Sequence, residues 1–260
     1  MNASKDYTIS AVKKAIEILD LYKSGIQSFT VSEIGKLSGM GRSSALRYVY
    51  TLLNAGFLEY DSTTEKYKLG IEIYKLGILK FESLDLRKIA TKHLQKLADE
   101  ESMICYIGVR DKDQLAVVDK ILPSNKPSWA QLTTQIGGVM QLYSTGIGRL
   151  YLSTDSEKEV ERYLNRKELF IKITENTIVE KENLIKEIQS ARELGYNVNK
   201  GENEDHIYGF CAPVYDRTKN MCAGISVCGI DQICETKYNH LCKRIVEVGQ
   251  MISYEMGFEK

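Results

Sequence analysis

Apolar positions recur along this chain first at helical steps, then in a short alternating stretch, and later in a mixture of the two. Ile9, Val12, Ile16, Leu19 and Tyr22 stand three or four apart, the spacing of one face of an amphipathic helix. Thr30-Val31-Ser32-Glu33 has the form of a capping box, a hydroxyl at the N-cap with a glutamate three residues on. Val31, Ile34 and Leu37 then share a face, and Gly39 is a natural C-cap. After Gly39-Met40-Gly41 the pattern predicts a longer helix from about Arg42 to Asn54, closed by Gly56. Phe57-Leu58-Glu59-Tyr60 and Lys66-Tyr67-Lys68-Leu69 flank a polar tip and read as a β-hairpin. Ile73, Leu76 and Leu79 suit a linker helix, and Leu86, Ile89, Leu94 and Leu97 suit the opening helix of a new domain. Beyond it, Met103–Val109, Leu115–Ile121, Trp129–Ile136, Tyr196–Asn199, Tyr208–Tyr215 and Met221–Gly229 predict strands. Tyr143–Leu152, Glu157–Leu164, Ile178–Leu194 and Tyr238–Met256 predict helices, the charged stretch 157–167 being a solvated face. Strands and helices mix without strict βαβ alternation, so the second domain is expected to be α+β with an antiparallel sheet. The expected division is a mainly α domain over 1–70, a linker helix over 71–84 and a second domain over 85–260.

Helix, glycine-containing turn, helix and hairpin is the winged helix-turn-helix plan. Its second helix can lie in a DNA major groove with its N-terminal residues at base edges. In the predicted 42–54 helix, Ala45, Tyr48, Val49 and Leu52 form the stripe to be buried. Arg42, Ser43, Ser44 and Arg47 occupy the other face within two turns. Arginine forks onto guanine, and serine hydroxyls reach phosphate or base. Lys66 and Lys68 of the hairpin would sit over a phosphate backbone, with Asp61 and Glu65 diluting their charge. The competing account is a small helical domain whose solvated face carries two arginines.

Charge modifies this picture. The chain has 260 residues with 35 basic and 35 acidic side chains, so its net charge gives no reason to expect nucleic acid. Locally the balance differs, because no acidic residue occurs between Glu33 and Glu59. Residues 1–70 hold nine Lys or Arg against seven Asp or Glu, a net +2, and the remaining 26 against 28 give −2. Such a protein is expected to bind non-specific DNA weakly and to depend on dimeric geometry and specific contacts. Hydrophobic residues make up 43% and charged ones 27%, a globular balance. No run approaches the ~18 apolar residues of a membrane span. A polar N-terminus without an apolar leader core, and six cysteines in a long chain, point to reduced thiols in a cytoplasm.

Several segments together resemble the IclR family of bacterial transcription regulators. They are Ser10–Leu19, Phe29–Leu37, Arg42-Ser43-Ser44-Ala45-Leu46-Arg47 and Lys66-Tyr67-Lys68-Leu69-Gly70 in the first part. Gly137–Ser153, Ala191-Arg192-Glu193-Leu194-Gly195-Tyr196, Ala212-Pro213-Val214 and Gly224-Ile225-Ser226-Val227 continue the likeness in the right order. The resemblance implies a GAF-like effector domain, a double-stranded DNA operator that is palindromic, a homodimer or homotetramer, and a small-molecule effector. No catalysis, cofactor, metal or membrane is expected. It assigns the effector site to Tyr143, Thr145, Gly146, Asn199, Gly209, Ser226 and Cys228. The chain departs from the family there. Gln141-Leu142-Tyr143 stands where members usually have Pro-Leu-His, Asn199 where the pocket acid falls, Gly209 where a cysteine falls, and Ser226 and Cys228 where two serines fall. No particular acid therefore carries over, and a carboxylated or aromatic metabolite is expected. Backbone donors at a helix N-terminus can hold an anion without the lost groups.

Two other functions compete. Cys222, Cys228 and Cys234 are spaced six apart, and His240 and Cys242 follow, which admits a thiol- or metal-sensing regulator. The tight Cys-x₂₋₄-Cys knuckle of zinc sites is missing, and buried cysteine commonly serves as a small hydrophobe. Cys222, Ser226 and Cys228 share parity, so one strand would put them on one face. A Cys-His enzyme would pair Cys228 with His206 or His240 as nucleophile and base, but no nucleophile elbow or phosphate loop accompanies them. His93 reads as a helix-face residue and His206, beside Asp205, as a surface-loop residue.

Overall fold

A computed structural model describes residues 7–82, 85–126, 134–166 and 170–259. The chain divides into two compact units, Met1–Leu84 and Asp85–Lys260.

In the first unit, α1 (Ser10–Asp20) runs into a 3₁₀ turn, Leu21–Ser24, that ends at Gly25. α2 (Val31–Leu37) opens on the expected capping box. The Thr30 side chain accepts the Glu33 N–H, and a Glu33 carboxylate oxygen accepts the Thr30 N–H at 2.7 Å. α3 (Arg42–Asn54) follows the turn at Ser38–Gly41. The two helices close tightly at Gly35, where a Cβ would stand 2.9 Å from the Met40 carbonyl oxygen and 3.5 Å from the Ala45 Cβ. β1 (Leu58–Asp61) and β2 (Lys66–Leu69) form the wing. Phe29 adds a bridge to Tyr67, whose carbonyl also accepts the Tyr22 hydroxyl at 2.9 Å. Ile18, Ile34, Ala45, Val49 and Leu58 are buried at the centre of the unit. Tyr48, expected in the buried stripe, is only half-buried. α4 (Ile71–Glu82) ends the unit.

The second unit begins with α5 (Asp85–Glu101), β3 (Ile104–Asp111), β4 (Gln114–Ile121) and a short β5 (Val139–Gln141). α6 (Gly146–Thr154), α7 (Glu157–Leu164) and α8 (Lys181–Leu194) follow. The chain then returns through β6 (Asn197–Lys200), β7 (Ile207–Tyr215) and β8 (Met221–Ile230), and ends in α9 (Asp231–Thr236) and α10 (Tyr238–Glu255). The six strands form one antiparallel sheet in the order β5-β4-β3-β8-β7-β6. Alternation along β8 separates its two faces. Ile225 reaches the α10 glycine Gly249, whereas Gly224 on the other face receives the Ile147 side chain of α6.

Two expectations need correction. The predicted strand 129–136 falls partly on residues 127–133, outside the described structure, and 134–136 are not extended into the sheet. Pairing resumes only after the glycine turn: Gly137 N–H donates to the Val117 carbonyl at 2.8 Å, and the edge strand is Val139–Gln141. The helix predicted from Tyr143 starts at Gly146, because Thr145 is its cap and its hydroxyl accepts the Gly148 N–H at 3.0 Å.

Candidate functional site

α3 presents its polar face to solvent. Arg42, Ser43, Ser44 and Arg47 are all exposed, over a buried row of Ala45, Val49 and Leu52. Neither arginine forms an ion pair among the described residues. The N-cap is Gly41, which supplies no side chain to take up the first N–H groups of α3. Leu46 and Tyr50 share this face and are half or more exposed, an apolar and an aromatic surface that charge-based reading overlooked. In the wing, Lys68 pairs across the hairpin with Glu59 at 3.1 Å, while Lys66 is half-buried. Asp61 is held below its ordinary range because its carboxylate accepts the Thr63 and Thr64 N–H groups of the turn.

The second unit has a partly open cavity of about 80 Å³ between the sheet and the start of α6. Thr145, Gly146, Asn199, Gly209, Ser226 and Cys228 all line it. Strand register explains why. Asn199 stands opposite Gly209, and Gly209 opposite Cys228, forming one row across β6, β7 and β8. The next row holds Cys211, Ser226 and Tyr106. Gly209 keeps its row open, since a Cβ there would stand 3.2 Å from the Cys228 sulfur. Asn199 is fixed by both ends of its amide: Nδ2 donates to the Ser144 carbonyl at 2.6 Å, and Oδ1 accepts the Glu202 N–H at 3.1 Å.

Tyr143 does not line this cavity. It is fully buried, its hydroxyl donates to the Ile171 carbonyl at 2.7 Å and accepts the Ile171 N–H at 2.8 Å, and its ring meets Phe170 edge-on. Conversely, Thr134, Asn203 and Glu204 line the cavity without any periodic signal in the sequence, and Tyr106 and Cys211, on predicted strands, line it as well. At the helix start, Gly148 N–H is taken by Thr145 Oγ1 and Arg149 N–H by the Thr145 carbonyl. The N–H groups of Gly146 and Ile147 have no intrahelical acceptor, that of Ile147 is directed at the Cys211 sulfur, and both residues line the cavity. Beneath this turn, a fully buried Arg149 is paired with Glu202 and lies 3.4 Å from Glu187.

The thiols are held protonated. Burial pushes Cys222 up to about 11 and Cys228 and Cys234 up to about 12, the opposite of what a reactive thiolate needs. Cys222 lies in a separate recess with Arg110 and Tyr151, away from Cys228 although it shares the strand face. Among the described residues no group of three His, Cys, Asp or Glu could hold a metal ion. The Cys-His pair is not assembled. His206 bonds Asp231 at 2.9 Å, His240 bonds Glu101 at 2.7 Å, and neither lines the cavity. No helix among the described residues is long and apolar enough to cross a membrane.

A winged helix-turn-helix followed by an α+β domain built around a small cavity defines a two-domain DNA-binding regulator with an effector domain. Comparison with known proteins makes this specific. Residues 11–62 match the IclR helix-turn-helix domain, and residues 79–254 match the bacterial transcriptional regulator IclR C-terminal domain. The chain belongs to the IclR family of bacterial transcription regulators. It is similar to the HTH-type transcriptional regulator KipR of Bacillus subtilis, 31% identical over 248 residues that cover 95% of this chain and 97% of KipR. In fold it resembles an IclR regulator from Alicyclobacillus acidocaldarius, with TM-score 0.85, 23% identity, and coverage of 96% of this chain and 100% of that one. An IclR homolog from Microbacterium hydrocarbonoxydans, solved with 4-hydroxybenzoate, has TM-score 0.84 and 17% identity, and covers 95% of this chain and 98% of that one.

Proposed function

We propose that this regulator binds a palindromic operator as a homodimer or homotetramer and responds to a small carboxylic acid held in the α6 cavity. Arg42, Ser43, Ser44 and Arg47 read the DNA, with Lys66 and Lys68 at the backbone. Thr145, Gly146, Asn199, Gly209, Ser226 and Cys228 surround the effector. The carboxylate reading is carried by the start of α6, whose first residues Gly146 and Ile147 line the cavity at a helix N-terminus where an anion is favoured. The aromatic acid bound by the Microbacterium homolog is compatible with this reading. Effector binding would bias the DNA-binding unit through the linker segment 71–84, a coupling typically of about 1–3 kcal/mol. The setting is a bacterial cytoplasm.

A thermal-shift screen of small carboxylic and sugar acids tests the ligand, since a bound effector raises stability by mass action. Ser226 is buried in the cavity wall, so Ser226→Leu is expected to fill the cavity. Operator affinity should stay within about twofold of the parent while the effector's influence on it disappears, at a stability cost of about 1–3 kcal/mol. A variant that still responds in gel-shift titrations would place the effector elsewhere.

Ile9, Val12 and Ile16 support the dimer. Ile9 is the N-cap of α1, and Val12 and Ile16 follow it at helical spacing, a stripe that the unit's own core leaves exposed. A second copy of the chain would cover it. Ile16→Glu is expected to weaken self-association at least about tenfold in sedimentation equilibrium, the scale of one large apolar side chain leaving an interface. An unaltered association constant would remove α1 from the interface.

A further inference from the structure

We infer that the effector is an amino acid: the ligand that sets its carboxylate on the start of α6 also presents an ammonium group to Glu204. This rests on the carboxylic-acid reading above and adds the second half of the ligand. Among the described residues that line the cavity, Glu204 is the only charged one. It sits in the turn between β6 and β7, and one of its carboxylate oxygens accepts both the N–H and the hydroxyl of Thr134, at 2.9 and 2.8 Å. Those bonds fix the carboxylate. They occupy Oε1 and leave Oε2 without a hydrogen bond from the described residues. Its charge is felt inside the cavity, since after burial it is among the causes that push up the Cys228 thiol.

No lining side chain neutralises that charge. The Lys120 ammonium and the Glu204 carboxylate attract each other, but Lys120 does not line the cavity. Its nitrogen lies 5.9 Å from the centre of the Tyr106 ring. The cavity therefore offers the N-terminal end of the α6 dipole at the Gly146–Ile147 wall and a fixed carboxylate at Glu204. Ile107, Leu115, Val117 and Ile207 add apolar surface to the lining. A plain carboxylic acid would suit the helix start but set a second negative charge in the cavity with Glu204, and like charges in one site disfavour each other. A simple amine would leave the helix start unpaired. A small zwitterion satisfies both, and the cavity's volume of about 80 Å³ suits a compact side chain.

The test is a set of matched probes on the full-length protein, by thermal shift and then calorimetry. It comprises the twenty standard amino acids, the acids lacking the amino group (propanoate for alanine, 4-methylpentanoate for leucine) and the amines lacking the carboxylate (3-methylbutylamine for leucine). At least one amino acid is expected to bind about tenfold or more tighter than both its matched acid and its matched amine. Glu204→Gln, which keeps an oxygen for Thr134, is expected to melt like the parent without ligand and to reduce the preference over the matched acid to less than about threefold. Acids that bind as well as their amino acids would overturn the inference and leave the carboxylic-acid reading standing. Failure of every amino acid and every acid to bind would overturn both.

Discussion

Arg149→Met is expected to destabilise the second unit by about 3–5 kcal/mol at neutral pH, the cost of breaking a buried ion pair by removing one partner. Arg149 is fully buried and Glu202 nearly so, and the guanidinium Nη2 donates to a Glu202 carboxylate oxygen. The pair is incompletely satisfied: Arg149 Nε and Glu202 Oε2 find no hydrogen-bond partner among the described residues. Burial raises the Glu202 carboxyl above its ordinary range, and the arginine's charge opposes that rise. Without the arginine the opposition is lost and the folded-state value climbs further. A carboxyl whose folded value lies above its unfolded one takes up a proton on folding, so its penalty is absent below the unfolded value and grows as pH rises toward the folded one. The deficit of Arg149→Met should therefore shrink on going from pH 7 to pH 5, by up to about 1.4 kcal/mol per pH unit within that window. Urea denaturation at pH 5, 6 and 7 measures it. Arg149→Met combined with Glu202→Leu should recover most of the loss, because an apolar replacement of both partners leaves no buried charge. A deficit below about 1 kcal/mol that does not change with pH would show that Glu202 reaches water. The pair also supports the cavity, since the Glu202 N–H is the donor that fixes Asn199.

How much of this was legible in the chain depended on how local the determining chemistry was. The first unit was readable because its boundaries are set within four residues: Thr30 with Glu33, the glycines around Met40, and the polar tip between Asp61 and Glu65. In the second unit, parity alone put Ser226 and Cys228 on one face, and family resemblance added Asn199 and Gly209, which the register lines up in the same row as Cys228. Tyr143 lies outside the cavity for a tertiary reason. Thr145 caps α6 at Gly146, which leaves Tyr143 in the turn before the helix, packed on Phe170 and bonded to Ile171. Glu204 and Thr134 gave no sign at all. Seventy residues separate them, neither stands in a regular element, and only the folded sheet brings their hydrogen bonds together. Arg149 was visible as part of a glycine-plus-basic helix start, but its burial and its partner Glu202 were not.

Arg47→Ala is expected to abolish specific operator binding while leaving the fold intact. The side chain is exposed on α3 one turn beyond Ser43 and Ser44, and it is committed to no ion pair among the described residues, so nothing within the unit needs it. An arginine that forks onto a guanine accounts for about 1–3 kcal/mol of discrimination. A dimer on a palindrome loses it twice, about 2–6 kcal/mol in all, or roughly 30-fold to more than 10⁴-fold in affinity. The near-neutral charge of residues 1–70 makes this loss hard to mask, because only a weak non-specific background supports the complex. Arg47→Lys separates the two ways the residue could act. It keeps the charge and loses the planar fork, so base reading predicts that lysine behaves nearly like alanine, whereas a phosphate contact predicts that lysine rescues. Phosphate contact also predicts a salt slope lower by about 1 for each contact removed, and base reading an unchanged slope. The measurement is fluorescence anisotropy at several salt concentrations, on the duplex the protein selects from a random pool and on a scrambled one. Affinity of Arg47→Ala within about twofold of the parent on the selected duplex would remove Arg47 from the interface and shift the reading of bases to Arg42, Leu46 and Tyr50 on the same exposed face.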